Sequence, residues 1–441
     1  MSFGWRELSP EHQEQLRLLV VDALGLAAAG SANADAQRVL TGLSALAPGP
    51  VAVPWTTHRL AAPQAATALS TLIHAWDFDD THDDAVVHTS TVVVPTALAA
   101  AAVGPVGSGA AVLDGIATGV QVLSRLAGAT GPRPGVIRTA GLGAPAAAAT
   151  AATVWGLPNV ESGAALAVGG AMAPTTRQAV VDGSVAKRLQ PGLVAAHGLT
   201  AAALARAGVA GPSGWLGGEF GILPGSDLTF AEMRDGDVEL DRIALKPYPA
   251  CRYGHAAIAA AEMLHADHPD WARVERVVAH LPAGDGYALV ARPYEDRGAP
   301  LVDAQFSLPW QVAALWVTGR YSLATLVDDL GRPDIAAAAA RVEVRQDLPP
   351  STVMSGAVVD LHLSDGRTVT RDAAMPGGGE HRLDRDTHAR KLAGCLEVAG
   401  VDEPAATADR LWRLVDDLPD LSGPELTAAL AHLGRPVAVP A

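Results

Sequence analysis

Residues 74–88 read His74-Ala-Trp-Asp-Phe-Asp-Asp-Thr-His-Asp-Asp-Ala-Val-Val-His88, five aspartates and three histidines in fifteen positions. On an uninterrupted helix, Asp79 and Asp83 would stand four residues apart, as would Asp80 and Asp84, and like charges at that spacing repel. The stretch therefore predicts a helix end followed by a loop, or a site with positive charge beside it.

The residues alone leave three readings of these acids open. In the first, Asp79 to Asp84 form a solvated loop that caps a helix beginning near Ser90. In the second, Asp79-Asp-Thr-His-Asp83 is a DDxxD motif that holds magnesium and a prenyl diphosphate, with Asp416-Asp-Leu-Pro-Asp420 as another match. In the third, Asp77 and His88 serve as base and acid on either side of a turn. Proton abstraction next to a carboxylate needs such a pair, together with cations that hold the substrate's negative charge.

Two segments offer cations. Asp182-Gly-Ser-Val-Ala-Lys-Arg-Leu-Gln-Pro-Gly192 places Lys187 and Arg188 just before an apolar helix. Leu245-Lys-Pro-Tyr-Pro-Ala-Cys-Arg-Tyr-Gly-His255 places Lys246, Arg252 and His255 at an expected domain junction, where small-molecule sites are favoured.

Composition narrows the class. The 441 residues carry a net charge of −15 with no basic run, which argues against nucleic-acid binding, since that depends on Lys and Arg neutralising phosphates. Hydrophobic residues make up 49% and aromatics only 4%. A core filled mainly by alanine favours close helix-on-helix packing. Cys251 and Cys395 are too few for a four-thiolate zinc site or an ordinary iron–sulfur cluster, and are expected as reduced thiols. The opening MSFGWRELSPEHQEQ lacks the pattern of a signal peptide, and runs such as Ala146 to Trp155 are too short to span a bilayer. A cytoplasmic protein is expected, with no membrane partner.

Ser9-Pro10-Glu11 predicts a capped helix running through Leu26 to a stop at Gly30. Further helices are expected at about 64–76, 92–103, 109–127, 143–155, 160–172 and 191–207. The character changes near Arg242. A short strand at 242–245, a helix at 253–265 and strands at 274–281 and 342–346 are expected. Residues 357–371 predict a hairpin turning at Asp365-Gly366. Helices return at 387–398 and 406–415. The fold class expected is mainly α: an all-helical domain of residues 1–242 completed by 392–441, with a smaller α+β domain, 243–391, inserted.

In order and spacing, these motifs resemble the MmgE/PrpD family. They are HAWDFDDTHDDAVVHTS with Val94-Pro95, DGSVAKRL, Gly211-Pro212 before Gly218-Glu-Phe-Gly221, LKPYPACRYGHAAIAAA and Phe306-Ser-Leu-Pro. That family includes 2-methylcitrate dehydratase, cis-aconitate decarboxylase and iminodisuccinate epimerase. The resemblance implies that the α+β domain is a lid, that the active site lies in a cleft and needs no cofactor or metal, and that the chain forms a homodimer. It assigns Asp77 and Thr81 to the family's acidic loop, His88 to its following histidine, and Lys187 and Lys246 to lysines facing a carboxylated substrate. His255 matches the second-motif histidine, and His82 and Arg188 join the substrate-binding set. Three positions depart from the pattern of the decarboxylases: Ile137 replaces a histidine, Trp310 a tyrosine, and Gln190 another histidine. An isoleucine can neither move a proton nor donate a hydrogen bond.

The combined expectation is a lyase-like enzyme on a small or modified carboxylic acid, with dehydration first and epimerisation or decarboxylation as variants. Asp77, His88, Lys187 and Lys246 are its expected catalytic residues. A non-catalytic binding or scaffold homologue and the magnesium-dependent diphosphate enzyme are the alternatives from other classes.

Overall fold

The structure is a computed structural model that describes residues 4–104, 107–132, 135–172 and 176–433. The first residues of the opening stretch and the last of the expected 392–441 segment lie outside the described residues. The chain divides into two units. One comprises the described residues of Met1–Ala179, Val185–Ile243 and Asp384–Ala441, and the other Val180–Ser184 and Ala244–Leu383.

The first unit is helical. Ser9 caps the Pro10–Ser31 helix, its Oγ accepting the His12 amide at 3.2 Å, and Pro10 occupies the first position, where a missing N–H costs nothing. Every residue from Leu18 to Ser31 is buried, which leaves this part of the helix without a wet face. It packs on Ala62–His74, which in turn packs on Ser90–Val103 and Ala186–Arg206. The alanine-rich Arg138–Val154 helix lies among Gly109–Thr130, Asn159–Gly170 and Ala186–Arg206. By length and composition Gly109–Thr130 could cross a membrane, yet 78% of its apolar window is buried inside the protein.

Two helices begin earlier than their prolines suggest. Arg138–Val154 contains Pro145 and Ala186–Arg206 contains Pro191, so tertiary packing outweighs the roughly 3 kcal/mol that an interior proline costs. Pro95, inside Ser90–Val103, deprives the Thr91 carbonyl of its helical donor. Ser70 Oγ replaces that donor at 2.6 Å.

Small residues bring the site-bearing helices close. A Cβ at Gly192 would lie 2.6 Å from the Thr67 carbonyl oxygen, and Thr67 Oγ1 donates to the Gly192 carbonyl at 3.0 Å. The start of Ala186–Arg206 thereby meets the loop that follows Ala62–His74.

The second unit is built on a four-stranded sheet, in the order Val342–Leu348, Val274–Pro282, Ala357–Leu363, Thr368–Ala373. Only the first pair is parallel. Ala357–Leu363 alternates buried and half-buried residues along its length, as a strand with one face on a core requires. Gly366, at φ +85°, takes the left-handed position of the hairpin turn. His255–Asp267 packs on the two hairpin strands and Leu308–Thr318 on Val342–Leu348.

Candidate active site

Ala62–His74 ends at His74, and residues 75–89 loop back to the start of Ser90–Val103. Solvation was one expectation for this loop, but Asp77, Asp79 and Asp80 are all buried to 1% exposure or less. Only Asp84 is exposed, with Asp83 half-buried. Buried carboxylates need partners, and each of the three has a different one.

Asp80 is the cap. One of its oxygens accepts from the Thr89 amide at 3.0 Å and the Thr89 hydroxyl at 2.6 Å, and the other from the Ser90 amide at 2.8 Å. Thr89 itself makes no side-chain cap. Capping was thus anticipated for the wrong environment: it is dry, and a single residue performs it. Burial and the neighbouring Asp79 charge push the Asp80 carboxyl above its ordinary value, against the pull of the Ser90 and Thr89 hydrogen bonds.

Asp79 lies between two imidazoles. Its Oδ1 is 2.8 Å from His74 Nδ1 and its Oδ2 is 3.3 Å from His88 Nδ1. His88 Nδ1 also contacts the Asp80 carbonyl at 2.8 Å, and a carbonyl only accepts, so this nitrogen carries the proton. The same logic applies to His74 against a carboxylate. In the neutral tautomer each ring therefore has its basic lone pair on Nε2. The rings are tilted at 56° with centroids 5.0 Å apart. Burial, then the Lys187 charge, hold His74 below the usual imidazole value, although Asp79 and Asp77 pull the other way.

Asp77 faces Lys187. Lys187 Nζ donates to Asp77 Oδ2 at 2.9 Å, with side-chain exposures of 8% and 1%. Asp77 adopts φ +51°, a left-handed conformation that costs a non-glycine residue about 1–3 kcal/mol and clusters at functional sites. One nitrogen or oxygen atom from each of His74, Asp77 and His88 lies within 4.8 Å of the others. This trio has the donor types of a metal site, but the Lys187 ammonium already neutralises its only carboxylate.

The other expected residues divide clearly. Thr81 Oγ1 is 3.4 Å from His88 Nδ1, and Thr139, two residues after Ile137, accepts the His88 amide at 3.0 Å. Ile137 is therefore the residue before a helix whose first turn touches His88. Arg188 Nε donates to the Ala75 carbonyl at 2.7 Å, bracing the loop, and burial lowers its pKa. His82 points elsewhere: its Nε2 is 3.0 Å from Glu239 and its Nδ1 accepts the Ala85 amide. Gln190 Nε2 donates to the Thr176 carbonyl at 3.1 Å. Two acids of the proposed diphosphate motifs are engaged elsewhere: Asp80 caps a helix and Asp416 binds Arg385 at 2.7 Å.

Lys246, His255 and Trp310 belong to the second unit and are fully buried. His255 Nε2 donates to the Ala250 carbonyl at 3.2 Å, and its Nδ1 is 3.4 Å from Arg252 Nη1, so both ring nitrogens have protein partners. Trp310 lies 5.9 Å from Tyr294 and 6.2 Å from Tyr321, between ring centroids.

Sequence reasoning missed His74 and Asp79 as site groups. The available signal was that His74 lies in the last turn of the helix expected at 64–76, five residues before a second acid. Both cysteines are free, and burial pushes the Cys395 thiol up to about 12.

The chain matches the MmgE/PrpD N-terminal domain over residues 2–226 and the MmgE/PrpD C-terminal domain over residues 248–414. It is similar to a cis-aconitate decarboxylase-like protein of Aspergillus oryzae, 27% identical over 357 residues and covering 73% of each chain. It is also similar to a cis-aconitate decarboxylase of Aspergillus terreus, 25% identical over 90% of this chain and 89% of the relative. With both domains matched in order, and the loop that carries Asp77, Asp79 and His88 inside the first, the chain belongs to the MmgE/PrpD family.

Proposed function

We propose that the protein is a cofactor-independent, lyase-like enzyme that dehydrates a small or modified carboxylic acid by proton transfer alpha to a carbonyl or carboxylate. The observation that carries this reading is the approach of His74, Asp77 and His88 to within 4.8 Å beside the buried Lys187. In such an elimination a base removes the carbon-bound proton and the C–H electron pair becomes the new C=C bond. The C–O bond breaks with its pair on oxygen, which is protonated to water. His88 accepts the carbon-bound proton on Nε2. The Asp77–Lys187 pair supplies the proton that leaves with the oxygen, and the proton on His88 later restores the pair. An ammonium has three N–H donors, so Lys187 can bind Asp77 and a substrate carboxylate together. Lys246 is a further carboxylate-binding cation in this proposal, on the strength of the family motif.

Epimerisation uses the same abstraction with the proton returned to the opposite face. Decarboxylation is the reading favoured by the names of the relatives. Ile137, at the position where the decarboxylases carry a histidine, weighs against it. A homodimer is part of the same proposal, checked by sedimentation.

The test is incubation with cis-aconitate and with 2-methylcitrate in deuterium oxide, followed by NMR. The expected result is solvent deuterium at the carbon alpha to a carboxylate, lost in His88→Ala and in Lys187→Ala and indifferent to EDTA. Binding without deuterium uptake would favour the non-catalytic homologue. Activity abolished by chelation would favour the magnesium reading. If both alanine variants match the wild type, the site assignment is overturned.

A further inference from the structure

Asp22, His388 and Lys391 form a second buried ionic cluster that has no part in the proton transfers above. Asp22 lies on Pro10–Ser31, and His388 and Lys391 lie three residues apart on Arg385–Val398. Asp22 Oδ1 accepts from His388 Nε2 and contacts Lys391 Nζ, each at 2.8 Å. The residues are 2%, 1% and 8% exposed. Removing these charges from water is costly, and apolar side chains of similar volume would serve a core as well or better. A cluster of this kind has to be explained by what else it holds.

Lys391 Nζ donates to the Phe78 carbonyl at 2.8 Å and lies 4.2 Å from the centre of the Phe78 ring. Phe78 separates Asp77 from Asp79. Its carbonyl therefore belongs to the peptide that joins it to Asp79, and its amide to the peptide that follows the left-handed Asp77. That carbonyl is the point where the second cluster touches the catalytic loop. Trp76 Nε1 anchors the other side of Asp77, donating to the Ala29 carbonyl at 2.9 Å on the same helix as Asp22. Asp77 is thus gripped from both flanks by groups mounted on or tied to Pro10–Ser31.

We propose that Lys391 is a positioning residue: oriented by Asp22 and His388, its ammonium holds the Phe78 carbonyl and so keeps Asp77 aimed at Lys187 and Asp79 at the two imidazoles. A charged donor to a backbone carbonyl is among the stronger neutral-partner hydrogen bonds. Its removal lets the strained Asp77 backbone relax toward an ordinary conformation. The catalytic consequence rests on the function proposed above, whereas the conformational consequence does not.

The experiment uses the full chain and compares wild type, Asp22→Asn, and the double variant Asp22→Asn with Lys391→Met, which removes both charges together and leaves no buried carboxylate behind. Backbone hydrogen exchange is read by mass spectrometry over residues 75–82, where the Asp77 amide donates to the His74 carbonyl at 3.3 Å. In the double variant this segment is expected to exchange about tenfold faster or more, with Pro10–Ser31 and Arg385–Val398 still protected. Asp22→Asn alone, which keeps the donor to Phe78 but loses the charge that orients it, is expected to loosen the loop less than the double variant does, and Lys391→Arg to leave it protected. With a turned-over substrate, kcat falls in the double variant while KM changes little. Unchanged loop exchange in the double variant overturns the proposal. So does equal loss of protection across the loop and both helices, which marks a merely structural cluster. Loop loosening without any effect on deuterium uptake would leave the positioning intact and count against the proposed function instead.

Discussion

Lys187 and Asp77 are 110 residues apart in the chain, yet the ammonium and the carboxylate meet at 2.9 Å out of solvent. A buried pair of this kind stabilises little over apolar substitutes, but losing one partner strands the other. The chemistry proposed for this protein therefore depends on a contact that the fold cannot afford to leave half-made.

Lys187→Met should destabilise the protein by about 3–5 kcal/mol, because the Asp77 carboxylate stays behind, buried and without its ammonium. Adding Asp77→Asn should recover most of that loss. Urea unfolding of the two single variants and the double variant gives the coupling energy directly. Strict additivity would mean the pair does not exist.

Asp79→Asn should slow deuterium uptake by about 10²-fold, the lower end of what positioned acid–base groups contribute, with little change in KM. His74 loses its charged acceptor, and His88, which keeps the Asp80 carbonyl, loses the carboxylate charge beside its Nδ1, so both rings become less basic together. Steady-state kinetics checks the split. A rise in KM with kcat intact would place Asp79 in binding instead.

Stability should fall as pH drops below 6.5. His74 is held beneath that value in the folded protein, first by burial and then by the Lys187 charge. Between 6.5 and its lower folded value the unfolded chain binds a proton that the folded chain does not, so unfolding becomes easier as acid is added. The contribution is fully present above 6.5. Denaturant midpoints measured across this range should flatten in His74→Gln.

Asp80→Ala should cost about 2 kcal/mol, the upper end for a helix cap, because Thr89 and Ser90 lose their shared acceptor inside the protein. Asp80→Asn should cost less. Thermal unfolding distinguishes the two, and equal effects would mean that only the charge of Asp80 matters.

Ile137→His should raise the rate of carbon dioxide release from cis-aconitate, since it returns an imidazole to the residue preceding the helix that touches His88 through Thr139. Headspace carbon dioxide or NMR of the product measures it. No gain would mean that other residues prevent decarboxylation here.

Much of the local structure was legible from the residues. Ser9-Pro10 announced a helix start and Asp365-Gly366 a hairpin because caps and turns are contacts between residues a few positions apart. The helix starts expected at 143 and 191 lie later than the observed Arg138 and Ala186, because the local penalty of Pro145 and Pro191 is overridden by packing against other helices.

What the sequence by itself determined was the order of elements, the family motif, and the presence of acids, imidazoles and lysines in its loops. Which of those charges are dry was decided only in three dimensions. Asp79 and Asp80 are adjacent letters with the same chemistry, yet one orients two imidazoles and the other caps a helix. Asp84, four residues on, is left in water. The cost of burying a charge depends on its partners: Thr89, His74 and His88 lie within ten residues of the acids they meet, whereas Lys187 and the exclusion of water are delivered by helix packing whose information is spread across the whole chain.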